Sequence, residues 1–382
     1  MNIHAPEFVP VAETSRDELA LWGSRDCRFL ARTLVEMRLL IVGCELGPVT
    51  SRGGLEVLLQ RWAQELGTGM DVTLGSIVSA GDEPGTHRVP GETYRRVLFK
   101  DLDELHECSL AFDVVSLHQW FDWVSIPERT LLMLHSSIEE CYRDAAAAGF
   151  VSPQWQQVVQ GLQRPRTVAT CARWASDTVE HHTGRQAVTL YPGISATYHD
   201  STPIRAHRRR RVVACSGRMT TRKGVDVLLD LVEDNALGDL VLEVSSLSPE
   251  PALLQRAERL AAAGAAVRVI APFTDEKEHA EYLRNVAVVA APSILEGFGM
   301  IAVEAQAVGV PVIGAGAGGL LEAVLPGGGA LVPVGAREEL AVALREYSHR
   351  DVPQDVRAAV REEFSVEASA ERKRAALLAI AG

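Results

Sequence analysis

The sequence has little that would tie it to a metal, a membrane or a nucleic-acid polymer. Its six cysteines, Cys27, Cys44, Cys108, Cys141, Cys171 and Cys215, lie far apart, with no CxxC pair and no Cys/His cluster at metal-ligand spacing. That pattern excludes a disulfide scaffold and reads as reduced thiols in a cytoplasmic protein. Long apolar runs are missing too: residues 305–321, a stretch of 17 without a charge, hold Pro311 and five glycines, too short and too broken to span a bilayer. The opening segment MNIHAPEFVPVAETSRDELA has neither the basic start nor the apolar core of a secretory signal. Lysine is scarce, four in all, and Lys plus Arg (38) is outnumbered by Asp plus Glu (50). The net charge of −12 argues against general binding to nucleic acid or anionic lipid.

What is present is material for a large core. Hydrophobic residues make up 47 % of the 382 and charged residues 23 %, and a chain of this length predicts two or three domains. Residues 1–36 are polar apart from a short amphipathic segment at 29–35, and read either as an extension or as an upstream start ahead of Met37. From Met37 onward short β-branched runs alternate with helical patterns, as in parallel sheets covered by helices on both faces. The expected strands of the first half are residues 39–42, 72–77, 94–99, 114–117, 130–134, 167–170 and 187–190. Residues 200–211 (DSTPIRAHRRRR) interrupt the series, which resumes with strands at 212–216, 240–244, 267–270, 286–290, 310–313 and 330–333. This predicts an α/β protein of two doubly wound, Rossmann-like domains facing across a cleft, residues 37–204 and 205–365, with a closing helix at 366–382. The basic run at 207–211 reads as a solvated linker rather than a nucleic-acid patch.

The richest stretch for chemistry is residues 291–319, APSILEGFGMIAVEAQAVGVPVIGAGAGG. A loop after a strand carries Glu296, Phe298 and Gly299, and a helix starting near Met300 carries Glu304. The free N–H groups of residues 298–301 and the positive end of the helix dipole then face the sheet's carboxyl edge, where a diphosphate fits. Two carboxylates beside a phosphate site suggest acceptors for sugar hydroxyls; the plainer alternative is a glycine turn with Glu304 on the surface. In residues 215–228, CSGRMTTRKGVDVL, Arg218 and Lys223 stand in the first βα loop of the second half as a natural phosphate clamp. The glycine pair Gly53 and Gly54 opens the first helix of the first half, either to approach a phosphate or as a simple turn. His118, at a strand end before Gln119 and Trp120, is as readily a sugar contact as a structural histidine, and His135 occupies a similar place with weaker grounds. Two further patterns are set aside. Gly314, Gly316 and Gly319 match G-x-G-x-x-G, but too little chain follows for a dinucleotide fold. Asp101 and Asp103 mimic a metal-binding DxD but read as surface acids.

Together these blocks resemble the retaining glycosyltransferases of the GT-B fold in family 4, the glycosyl transferases group 1. The resemblance rests on GRMTTRKGVD at residues 217–226, the E-x7-E pattern of Glu296 and Glu304, the Gly53-Gly54 pair and YPGIS at residues 191–195. It covers about residues 37–365 and is tighter in the second half. It implies a nucleotide-diphosphate sugar as donor substrate, with no other cofactor and no metal. Arg218 and Lys223 would bind the diphosphate, helped by the backbone of Phe298, Gly299 and Met300. Glu304 would take the ribose hydroxyls, Glu296 would hold the sugar near its anomeric carbon, His118 would contact the sugar, and Gly53 and Gly54 would lie near the phosphates. The Ser51-Arg52 pair before those glycines and the HQW after Leu117 depart from the family pattern, so acceptor contacts do not carry over. Residues 1–199 hold 17 basic and 25 acidic residues against 21 and 25 in the rest, a net of −8 against −4. The more acidic acceptor side favours a neutral or cationic small acceptor such as an aminocyclitol, with cell-envelope glycan or glycolipid synthesis as the alternative. More remote are a nicotinamide-dependent oxidoreductase and a non-catalytic sugar-nucleotide-binding protein. The oligomeric state is not legible.

Overall fold

A computed structural model describes residues 37–43, 54–77, 84–87, 91–118, 126–147, 154–246, 249–273 and 275–382. The N-terminal segment, Cys27, Cys44, Ser51, Arg52, Gly53, the Gln119–Trp123 run and Thr274 lie outside these residues.

The first sheet has eight strands: β1 (Arg38–Val42), β2 (Asp71–Ile77), β3 (Gly85–His87), β4 (Arg95–Phe99), β5 (Val114–His118), β6 (Thr130–Leu134), β7 (Thr167–Thr170) and β8 (Val188–Thr189). They lie in the order β3-β4-β2-β1-β5-β6-β7-β8, all parallel except the edge strand β3, which runs antiparallel to β4. The second sheet has six: β9 (Arg210–Ser216), β10 (Val241–Ser245), β11 (Val267–Ile270), β12 (Val286–Ala291), β13 (Val312–Ala315) and β14 (Gly329–Val332). Their order is β11-β10-β9-β12-β13-β14, all parallel. Central strands such as β6 (TLLML) and β12 (VAVVAA) are buried along their whole length, which is why they read as unbroken apolar runs rather than alternations. In each sheet the order turns back beside the first strand, β1 or β9, so the two crevices form at the carboxyl ends of β1/β5 and β9/β12.

The chain crosses from the first sheet to the second between β8 and β9, and the helix Val366–Ala381 returns to pack on the helix Gly54–Leu66 of the first half. Ile194 joins the crossing to the return: its N–H donates to Phe364 O (2.9 Å) and its carbonyl accepts from Val366 N (3.0 Å). Trp62 Nε1 donates to Ser369 Oγ at 2.8 Å, deep under the same helix. No described helix is long and apolar enough to cross a membrane.

The basic run differs from a solvated linker. The Arg209 side chain is fully buried, and its guanidinium donates to Ile204 O, Gly309 O, Arg350 O and Asp351 Oδ1. Arg210 pairs with Glu243, and Arg211 with Asp239 and Ser348. Arg209 bolts the start of β9 to the far end of the second half, and its neighbours Arg210 and Arg211 are held in ion pairs, so the run is anchored to the fold.

Candidate functional site

Two loops of the second half meet at the carboxyl edge of its sheet. The loop after β9 makes a short turn, Thr221–Lys223, capped by the Thr220 hydroxyl, which accepts from Lys223 N at 3.3 Å. Gly224 follows at φ 69°, and a Cβ there would lie 2.2 Å from Pro292 O, so only glycine lets this loop close on the one after β12. Ile294 N donates to Arg222 O (2.9 Å) and Arg222 Nη1 to Leu295 O (3.1 Å), completing the clasp.

Within it Lys223 Nζ pairs with Glu296 Oε2, and Ser293 Oγ donates to the same oxygen at 3.0 Å. Burial works to raise the Glu296 carboxyl, but the charge and hydrogen bond of Lys223, with Ser293 and Arg222, hold it below the usual carboxylate range. Arg218 differs: it is exposed and makes no side-chain hydrogen bond or ion pair among the described residues. The helix Met300–Ala307 begins at Gly299 (φ 101°) with no side-chain cap, leaving its first N–H groups without intrahelical acceptors. Phe298 packs its ring against Tyr191 and Phe364, so only its backbone is available to a ligand, while Met300 is half-buried.

Glu304 is not a surface residue. It is buried within reach of Tyr198, with His279 Nδ1 at 3.9 Å from Oε2. Burial raises its carboxyl to about 7 against the pull of Arg61, whose guanidinium is paired with Glu276. The E-x7-E spacing therefore sets two carboxylates in opposite states, one charged beside a lysine and one poised near neutrality.

The structure places the two histidines differently from the sequence expectation. His118 is the last residue of β5 rather than the first of a loop, and it is fully buried in the sheet. Its Nδ1 lies 2.8 Å from His135 Nε2 and its Nε2 3.2 Å from Ser116 Oγ. His135, one residue past β6, is the partly exposed member of the pair. Its carbonyl meets the Glu296 loop of the other half: a Cβ on Gly297 would lie 2.2 Å from His135 O. Burial first, then the neighbouring Lys373, lowers both rings, His135 to about 3. Gly54 is the first residue of the helix Gly54–Leu66; its neighbour Gly53 is outside the described residues.

The remaining patterns have structural explanations. Asp101 caps the helix Leu102–Ser109, accepting from Glu104 N at 2.9 Å. A Cβ on Gly318 would lie 2.4 Å from Glu296 O, and one on Gly319 2.3 Å from Phe298 Cα, so these glycines serve the packing of the GAGAGG loop under the Glu296 loop. No cluster of three metal-ligating side chains occurs among the described residues.

Sequence reasoning missed the groups that join the halves. Arg222 Nη1 lies 2.6 Å from Glu140 Oε1, Trp174 Nε1 donates to Gly297 O at 3.0 Å, and Glu322 accepts from Arg173 N and Trp174 N, both at 2.9 Å. A helix start with alanine at its cap, Ala172, is the only trace of Glu322's role in the sequence.

Residues 200–363 match the family model for glycosyl transferases group 1. D-inositol 3-phosphate glycosyltransferase of Streptomyces bingchenggensis is 28 % identical over 253 residues, 58 % of this chain and 56 % of the relative. The protein of the same name from Acidothermus cellulolyticus is 28 % identical over 385 residues, 85 % and 83 % of the two chains. For several of these relatives the chain spans little more than half their length. Among solved structures, sucrose-phosphate synthase from Thermosynechococcus elongatus superposes with a TM-score of 0.74 at 17 % identity, over 90 % of this chain and 99 % of that one. Anabaena HepE in complex with UDP and glucose gives 0.65 at 15 % identity, over 90 % and 100 %. Residues 200–363 thus resemble the glycosyl transferases group 1 family, in a chain whose two facing sheets have the GT-B fold.

Proposed function

We propose that the chain is a retaining, metal-independent glycosyltransferase of the cytoplasm, moving a sugar from a nucleotide-diphosphate donor to a hydroxyl of a small polyol. The observation that carries this reading is the Lys223–Glu296 pair beside the uncapped start of the helix Met300–Ala307, with Arg218 left unpaired at the rim. Such a corner offers a diphosphate two cations and a set of backbone N–H groups, which stabilise charge developing on the leaving nucleotide. Glu296 then holds the sugar near its anomeric carbon, Glu304 accepts from the ribose hydroxyls, and the first half closes over the sugar. His135, rather than the buried His118, is the imidazole that meets the sugar, because it borders the Glu296 loop and retains exposure. Gly54, the first residue of its helix, approaches the phosphates from that side.

The names of the relatives support a cyclitol or its phosphate as acceptor, and an aminocyclitol is the cationic member of that class. The test is release of free nucleotide from a panel of UDP-, GDP-, ADP- and TDP-sugars offered with inositol, inositol phosphate, an aminocyclitol and a lipid-linked acceptor, with and without EDTA. Turnover with a soluble cyclitol in EDTA, giving a product of unchanged anomeric configuration, is the expected result. Turnover only with the lipid-linked acceptor, an inverted product, or loss of activity in EDTA restored by Mn²⁺ overturns the corresponding part of the reading.

A further inference from the structure

The helix Val366–Ala381, although it follows the second half in sequence, inserts Lys373 into the interior of the first. This side chain has no exposure and no carboxylate partner among the described residues. Its Nζ donates to Ser116 Oγ at 2.7 Å and stands 4.7 Å from the centre of the Trp62 ring. An ammonium buried against one hydroxyl and one aromatic face is costly, and burial brings the group down to about 7. The ionisable groups bearing on it are His118 and His135, both of which burial keeps neutral at that pH.

The contacts run in a chain: Lys373 Nζ to Ser116 Oγ at 2.7 Å, Ser116 Oγ to His118 Nε2 at 3.2 Å, and His118 Nδ1 to His135 Nε2 at 2.8 Å. The direction of such a chain follows from its first member. A protonated lysine has three donors and no lone pair, so Ser116 Oγ accepts from it, and its single proton, with no other acceptor among the described residues, turns to His118 Nε2. His118 then carries its own proton on Nδ1 and gives it to His135 Nε2. His135 in turn keeps its proton on Nδ1, the ring nitrogen with no partner among the described residues.

We propose that Lys373 is a positioning residue, which fixes both histidine tautomers so that His135 presents an N–H donor to a hydroxyl of the bound sugar. The proposal rests on the glycosyl-transfer reading for what that donor meets, but not for the direction of the chain. A lysine kept only to dock the helix would leave the tautomers indifferent to its replacement.

The experiment is imidazole ¹⁵N spectroscopy of the full chain at pH 6, where Lys373 is charged and both rings are neutral, with resonances assigned through His118→Gln and His135→Gln. The expected result is an Nδ1–H tautomer at both positions, replaced at His135 by Nε2–H or a mixture in Lys373→Met. Ser116→Ala, which cuts the chain without touching the helix, gives the same change and guards against misfolding of the first variant. In steady-state kinetics both variants lower kcat about tenfold with donor KM little changed, as for one hydrogen bond made in the transition state. An Nε2–H tautomer at His135 in the parent chain, or unchanged tautomers in both variants, overturns the proposal. Absence of turnover with every donor overturns the glycosyl-transfer reading and leaves the spectra to decide the chain.

Discussion

Glu322, in the short helix Leu320–Ala323 after β13, caps the helix that begins at Arg173 on the opposite side of the cleft, accepting from Arg173 N and Trp174 N at 2.9 Å each. Tyr191 OH donates to the same carboxylate at 2.6 Å. A helix start normally finds its cap in its own preceding residue; here the preceding residue is Ala172, and the missing acceptor comes from the other half. The relationship makes the stability of one half depend on the placement of the other.

Glu322→Ala should therefore lower stability by about 1–2 kcal/mol, the range for losing a helix cap together with its favourable charge at the dipole. Denaturant unfolding of both chains measures it. A difference within experimental error would show that the cap is dispensable.

Lys223 and Arg218 should separate in their effects. Lys223→Met leaves Glu296 buried beside Ser293 without its cation, so it should cost about 1–3 kcal/mol of stability as well as activity. Arg218→Met, at an exposed and unpaired position, should change stability by no more than about 0.5 kcal/mol while weakening donor use. Equal stability losses would contradict the difference seen in their surroundings.

The raised carboxyl of Glu304 predicts a pH dependence of definite sign. Its folded value of about 7 lies above the ordinary 4.5, so the folded chain holds more protons than the unfolded one between those values. Stability contributed by the protonated group is complete below pH 4.5 and is lost as pH rises through 7, by at most about 1.4 kcal/mol per unit. Glu304→Gln removes this dependence, so its unfolding free energy relative to the parent should improve from pH 4.5 to 7.

Lys373 gives the opposite slope. Its folded value, near 7, lies below the ordinary 10.5, so between them the unfolded chain binds the extra proton and stability rises with pH. The parent should gain on Lys373→Met across that window in denaturant titrations; a flat difference would mean that the buried lysine is not desolvated.

How much of this was legible in the sequence depends on the range of the interactions involved. Strands such as β12 were readable because a doubly covered parallel strand must be apolar throughout, and VAVVAA is. The edge strand β3, GTH, carries no such signal and exists only through its pairing with β4. The strand expected at Val310 begins at Val312 instead, because Val310 N donates back to Ala305 O at 2.9 Å, closing the preceding turn, and Pro311 has no N–H to offer. Lys223 and Glu296 stood out because glycine-rich loops at strand ends announce themselves locally. Glu322, Trp174 and Lys373 did not, since each acquires its role from a partner more than a hundred positions away. His118 misled because the strand expected to stop at Leu117 runs one residue further, which turns the ring from the loop into the core.

The returning helix also orders events during synthesis. Trp62 waits for Ser369 and Ser116 for Lys373, separations of 307 and 257 residues. The first sheet can therefore assemble on the ribosome only with one face of its core uncovered, and contacts of such long range are slow to form. For most of translation the amino-terminal half is a sheet waiting for its last helix. A nascent chain halted before residue 366 should bind hydrophobic dyes or chaperones until that helix is supplied.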